Sequence, residues 1–444
     1  MLELELESLP RLIAEAAEPL PNIDDPAFGA MFDRFGDARV VLLGEASHGT
    51  SEFYRARAEI SRRLVERHGF TIVAAEADWP DAATVDRYVR HRPWREGERR
   101  AFERFPTWMW RNREFDKFIR WMRKHNEGRP YEAMCGFYGL DLYNLSASMS
   151  AVIDFLEEQD PELARLAHKR YGCLEPWAEQ PQLYGRMALL EGYARCEVGV
   201  VQMLKDLLQK QVDCFGPECD EWLDAAANAR LVKDAEAYYR VMFHGSAESW
   251  NLRDTHMFET LNMILDAKGR DAKAIVWAHN SHIGNAAFTD MGMHRDELNI
   301  GQLAKEKFDD RARLIGFGTH TGTVAAADDW DAPMKIKPVR QSLPESHERV
   351  SHDSGRDRFL LDLREGKLGC EIREALMEPR LERFIGVIYR PDTERWSHYS
   401  EAILPRQFDA WIWFDETHAV SPLPGELRPG EAARHEEETY PFGL

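Results

Sequence analysis

Arg39-Val-Val-Leu-Leu-Gly-Glu-Ala-Ser-His-Gly-Thr50 opens as a strand, turns on glycines and leads into a helix. The unbroken β-branched and leucine run at 39–43 is the pattern of a strand buried on both faces. Residues 51–68 have helical spacing: Ser51 can cap the helix, Glu52 suits its positive end, and Gly69 stops it. Phe70-Thr-Ile-Val-Ala-Ala-Glu76 is a second buried strand. Strand, helix and strand in this span make a βαβ unit, whose two strands run parallel. Open parallel sheets place ligands and chemistry at the carboxyl ends of their strands.

A matching feature lies more than two hundred residues further on. Ala274-Ile-Val-Trp-Ala-His-Asn-Ser-His282 is again an apolar run followed by histidines. Further strand candidates are Tyr131–Tyr138, Ala272–Ala278, Arg311–Phe317, Arg383–Tyr389 and Ala410–Phe414, and polar residues come after several of them: Asp141, then His279 and His282, then His320. From about Ser146 to Lys268 the spacing is helical, with stripes at Leu204, Leu207, Leu208 and Val212 and at Val232, Ala235, Tyr239 and Phe243. The span Trp330–Gly369, rich in charge, proline and serine, reads as exposed loops. The fold class expected is α/β, a three-layer core with a mainly parallel sheet and a large helical insertion. Residues 1–145 form the first part of the core, 146–268 the insertion, and 269–444 the second part.

Composition narrows the function. The 444 residues carry a net charge of −20, so a nucleic-acid partner, which needs a basic face, is disfavoured. No apolar run approaches the roughly 20 residues that span a bilayer. The alternating Met1-Leu-Glu-Leu-Glu-Leu-Glu-Ser8 lacks the basic and apolar regions of a secretory signal. The six cysteines form no Cys-x-x-Cys pair, which reads as reduced thiols in a cytoplasm; Cys214 and Cys219 are close enough in sequence to bridge.

Glu45 and His48 are three apart in a glycine-flanked turn, and Glu76 ends the neighbouring strand. With adjacent strands about 4.8 Å apart, Glu45 and Glu76 are expected to approach each other. Two such carboxylates need a cation or a shared proton. Arg57 falls on the apolar stripe of Phe53, Ile60 and Leu64, so its guanidinium must find an acceptor, and it leans toward the acids. A histidine beside a carboxylate is held in one tautomer and made more basic, which suits His48 as a general base. His279 and His282 can face one centre. With Glu45 and Glu76 they make either a metal-free catalytic set or a His₂/Glu₂ metal site. There is no His-Glu-x-x-His, no Gly-x-Ser-x-Gly elbow, no P-loop and no Gly-x-Gly-x-x-Gly. No cofactor is therefore expected, and water activated by a histidine is the simplest chemistry left. Phe105-Pro-Thr-Trp-Met-Trp110 and Trp411-Ile-Trp413 supply apolar area for core or cleft.

Several segments together resemble the erythromycin esterase family. They are Gly44–Tyr54, Ala75–Trp79, Phe105–Asn112, Tyr138–Tyr143, Ser249–Met257, Trp277–His282, Gly318–Thr323, Gly386–Pro391 and Ser397–Tyr399, and they run from about residue 36 to 420. The resemblance implies an α/β core with helical additions around a deep cleft, and hydrolytic opening of a macrolide lactone. It implies that His48 activates water, with Glu45 and Glu76 as partner carboxylates, Arg57 as the arginine, and His279 and His282 as later site histidines. Trp108-Met-Trp110 and Arg253-Asp254 look like a broad branch of the family rather than the resistance esterases proper. The expectation is a cytoplasmic carboxylic ester hydrolase acting on a bulky small-molecule ester or lactone, with neither nucleic-acid nor membrane partner. Asn280, Arg253, Asp141 and Arg57 are the substrate-binding candidates. The alternatives are a metal-dependent hydrolase using Glu45, Glu76, His279 and His282, and a small-molecule-binding family member without turnover.

Overall fold

A computed structural model describes residues 2–93, 101–178, 181–188, 196–211, 218–243 and 246–423. Its centre is a nine-stranded sheet. The strands are β1 (Glu18–Pro19), β2 (Val40–Leu43), β3 (Ile72–Asp78), β4 (Gly136–Asp141), β5 (Ala274–Trp277), β6 (Ala312–Ala326), β7 (Lys335–Val339), β8 (Arg358–Asp362) and β11 (Ala410–Thr417). The spatial order is β1-β8-β11-β6-β2-β5-β3-β4, with β7 on the outer part of β6. The run from β11 to β4 is parallel throughout; β8, β1 and β7 join antiparallel. A separate hairpin-like pair, β9 (Arg380–Arg383) and β10 (Tyr399–Ala402), packs beside it.

Alternation along the central strands builds two cores, one on each face. Val40, Leu42, Ile72, Ala74, Val276 and Leu314 face one side. There they join the helices from Leu145 to Lys268 in one continuous apolar cluster. Val41, Leu43, Val73, Ala75, Ile275, Trp277 and Ile315 face the other, against the helices Ser51–His68 and Arg113–Asn126. The result is mixed α/β with a largely parallel sheet between helical layers, as the sequence indicates. Between β4 and β5 the described residues hold helices and turns and no strand.

The structure corrects several local readings. β2 and β3 are parallel but not neighbours, because β5 lies between them. Thr50 takes the N-cap position, its side chain bonding to the Ser47 hydroxyl rather than capping the helix, while the Ser51 hydroxyl donates to Glu114 at 2.8 Å. Gly69 ends the helix in the left-handed region, φ 74°, as expected. Tyr131–Ala133 is a 3₁₀ turn, and β4 begins only at Gly136. Residues 384–389 make isolated bridges rather than a strand. The span 330–369 contains β7, β8 and the helix His347–Asp353. Leu208 and Phe243, placed on apolar stripes, are over a third exposed. Cys173 and Cys196 are disulfide-bonded, with Cα atoms 5.8 Å apart, which departs from wholly reduced thiols. Cys214 and Val212 fall outside the described residues, and so does the Cys214–Cys219 bridge. Among the described residues no helix is long and apolar enough to cross a membrane.

Candidate active site

The parallel strands β2, β5, β3 and β4 stand side by side, so the turns at their carboxyl ends meet at one edge. Two glycines let the turn after β2 lie tightly there. A Cβ on Gly44 would run into the Asn280 side chain, and one on Gly49 into the Ala325 carbonyl. The turn presents Glu45 and His48, with His48 Nδ1 2.8 Å from Glu45 Oε1. Arg57, fully buried on the next helix, donates from Nη2 to Glu45 Oε2 at 2.6 Å. Its guanidinium lies over the rings of Tyr54 and Trp277, 4.5 and 4.8 Å from their centroids.

Glu76 reaches this cluster from β3. Its Oε2 accepts the backbone N–H of His279 at 2.9 Å. Its Oε1 accepts from Arg253 Nη2 at 2.9 Å and lies 3.3 Å from His282 Nε2 and 4.0 Å from His48 Nε2. Arg253 comes from the helix Ser246–Lys268 and also holds Asp141, Nε to Oδ1 at 2.9 Å and Nη2 to Oδ2 at 2.6 Å. Asp254, the next residue, takes His282 Nδ1 at 3.0 and 2.9 Å on its two oxygens. Trp250, one helical turn earlier, stacks flat on the His282 ring at 4.6 Å.

The charges result from this packing. Burial opposes the Glu76 carboxylate, yet its electrostatic interactions with His282, His48 and Arg253 hold it well below the usual carboxylate range. Burial pulls both Asp254 and His282 toward their neutral forms. The ion-paired form prevails, because Nδ1 reaches both Asp254 oxygens and Glu76 faces Nε2, and the imidazole is raised to about 9. Arg253 Nη1 also lies within hydrogen-bond distance of His282 Nε2, at 3.1 Å. His279 goes the other way: burial, then neighbouring His48, holds its ring well below the histidine range.

Glu45, His48, Glu76, His279 and His282 therefore come together, with Arg253 and Asp141 beside them. The expected direct approach of Glu45 to Glu76 is replaced, since β5 intervenes and His48 sits between the two acids. Arg57 serves Glu45 alone; the arginine of Glu76 is Arg253. Asn280 is fully buried, donating to the Phe317 carbonyl at 2.8 Å and to Glu382 Oε1 at 3.0 Å, so its side chain anchors the loop. Sequence reading missed Asp254, Trp250 and Ser281 as site residues. Trp250, Arg253 and Asp254 share one helix face at spacings of three and four, a mixed aromatic and charged stripe that marks a buried polar centre. As for a metal, the oxygens of Glu45 and Glu76 already receive N–H donors, and Arg57 and Arg253 would repel a cation. Among the described residues no three His, Cys, Asp or Glu side chains converge as a ligand set.

Acids and histidines gathered at the carboxyl edge of a parallel sheet define a hydrolase-like α/β protein. Similarity to known proteins makes this specific. The family model for erythromycin esterase matches residues 65–417, and the chain belongs to that family. The matched span contains Glu76, Arg253, His279 and His282; the Glu45–His48 turn precedes it. Erythromycin esterase type II of Escherichia coli is 23% identical over 322 residues, 69% of this chain and 75% of its own. Three solved structures share the fold. A succinoglycan biosynthesis protein has TM-score 0.76 at 21% identity, covering 94% of this chain and 98% of its own. A protein from Bacillus cereus has TM-score 0.77 at 18% identity, with coverages of 94% and 99%. A mutant erythromycin esterase in its open conformation has TM-score 0.65 at 17% identity, with coverages of 90% and 98%.

Proposed function

We propose that this chain is a carboxylic ester hydrolase in which His48 deprotonates a water that attacks the carbonyl of a bulky ester or lactone. The observation that carries the reading is the Glu45–His48 pair with Arg57 buried behind it. Glu45 accepts the hydrogen bond of His48 Nδ1–H, which leaves the Nε2 lone pair of His48 free for water. Glu76, 4.0 Å from that nitrogen, can hold the same water from the other side. His279 and His282 supply the carbonyl contact and the proton for the leaving alkoxide. Arg253 and Asp141 keep Glu76 in place and border the substrate. Macrolides are one candidate substrate class, suggested by the name of the Escherichia coli relative.

The test is hydrolysis of a panel of esters and lactones, macrolides included, by wild type and His48→Ala, with and without chelator. The expected result is turnover that falls roughly 10²–10⁴-fold in the variant and ignores the chelator. Turnover retained by His48→Ala overturns the mechanism; loss on chelation turns it toward the metal-dependent alternative. A cytoplasmic location is part of the proposal, and Cys173 and Cys196 set its test, since a cytoplasm keeps such thiols reduced. Thiol alkylation in intact cells reads this directly.

A further inference from the structure

We infer that His279, rather than His282, meets the substrate carbonyl oxygen, presenting Nε2–H as an oxyanion donor in a tautomer that Ser281 fixes. The inference rests on the hydrolase reading above and decides between the two histidines that reading leaves equivalent.

The tautomer is set by one donor that cannot be reversed. The backbone N–H of Ser281 points into His279 Nδ1 at 3.3 Å, with His279 as N-cap of the helix Asn280–Ile283. A backbone N–H only donates, so Nδ1 must be an acceptor. The Ser281 hydroxyl, 2.9 Å from the same nitrogen, then donates as well. Burial, with His48 beside the ring, keeps the imidazole neutral. A neutral imidazole with a bare Nδ1 carries its proton on Nε2.

That Nε2–H has no hydrogen-bond partner, although His279 is 1% exposed. Buried polar atoms are almost always satisfied, so an orphaned donor beside a reactive group asks for a ligand acceptor. The Ala46 carbonyl, which also accepts the Ile385 N–H at 2.9 Å, lies near the ring but outside hydrogen-bond geometry to Nε2. His279 is also the histidine that faces the base: its ring centroid lies 4.9 Å from that of His48, with Phe384 on another side at 5.9 Å. His282 offers nothing comparable. Its Nδ1 is taken by Asp254, its Nε2 faces both Arg253 Nη1 and Glu76, and Trp250 covers its face. A neutral donor placed where negative charge develops is the arrangement that stabilises a tetrahedral oxyanion. In that step water oxygen bonds to the acyl carbon, His48 takes a water proton, and the carbonyl pair moves onto the oxygen facing His279. No proton leaves His279.

Two measurements test this. In protein labelled with ¹⁵N-histidine, the full chain without substrate should show His279 protonated at Nε2 with Nδ1 as acceptor. Ser281→Ala removes only the hydroxyl and keeps that backbone N–H, so the Nε2–H tautomer should persist in it. In turnover of whichever panel substrate wild type cleaves, His279→Ala should lose roughly 10²–10³-fold in kcat. His279→Gln, whose amide N–H stands near the Nε2 position, should recover at least tenfold of that, with an unchanged pH profile. An Nδ1–H tautomer, or a Gln variant as inactive as Ala at wild-type thermal stability, overturns the inference. A chain that cleaves nothing on the panel defeats the hydrolase reading, while the tautomer measurement still decides this one.

Discussion

Glu45→Gln separates the charge of the acid from its shape. Glu45 is 1% exposed, and it is the acceptor both for His48 Nδ1 and for fully buried Arg57. The amide keeps the volume and one acceptor oxygen, but it removes the negative charge that balances the buried Arg57 guanidinium, whose other contacts are the faces of Tyr54 and Trp277. Removing one partner of a buried pair costs about 3–5 kcal/mol, whereas an exposed pair costs under about 1 kcal/mol. Urea unfolding of Glu45→Gln should therefore lose about 3–5 kcal/mol. Arg57→Met in the same chain should restore most of it, because replacing both buried charges with apolar or neutral groups is often nearly neutral. Activity should not return with stability. Without the carboxylate, His48 loses its tautomer bias and the counter-charge to the imidazolium formed on proton transfer, and kcat should stay down by roughly 10³–10⁴-fold in both variants. A loss below about 1 kcal/mol in the single variant, or a double variant no more stable than the single, refutes the buried-pair reasoning. A double variant with wild-type kcat refutes the role of Glu45 in catalysis.

The other buried charges give two more expected outcomes. The His282 imidazole is raised from 6.5 to about 9, so its stabilisation is complete below pH 6.5 and is lost as pH rises through 9. Unfolding free energy should fall by about 3 kcal/mol across that window, and Asp254→Asn should remove most of the fall; a flat wild-type profile in urea titrations counts against the ion pair. Glu382 is fully buried, and burial together with Glu348 pushes its carboxyl well above the ordinary value, so its favourable contribution is present below pH 4.5 and fades as pH rises. Glu382→Gln should therefore gain on wild type between about pH 5 and pH 8 in the same assay, and a constant difference across that range would contradict a protonated Glu382.

The strands that carry the site were legible because their residues are apolar on every position. Val40–Leu43 and Ala274–Trp277 have no polar face, and only a central parallel strand buries both. Helix Ser51–His68 was legible from its spacing and from Gly69. The sequence starts β4 too early because Tyr131 suits a strand by composition, while Pro130 and the turn after it wind Tyr131–Ala133 into 3₁₀ form. The segment 384–389 has strand-like residues too. Its backbone instead meets Ala46, Ser47, His48 and Ala327 in single bridges, a role that depends on the far end of the chain.

Residue type and local spacing determined by themselves that Glu45 and His48 share a turn, that Arg57 is buried and needs an acid, and that two histidines come directly after a buried strand. Such inferences depend on chain geometry within a few residues, which sequence carries directly. Partner choice was decided only in three dimensions. Strand order is a property of crossover connections, so β5 could separate β2 from β3 and hand Glu76 to Arg253 and His282 instead of Arg57. The roles of His279 and His282 differ for the same reason. Their neighbours, Ser281 and His48 on one side and Asp254, Glu76 and Trp250 on the other, give one ring a neutral free donor and the other a buried positive charge.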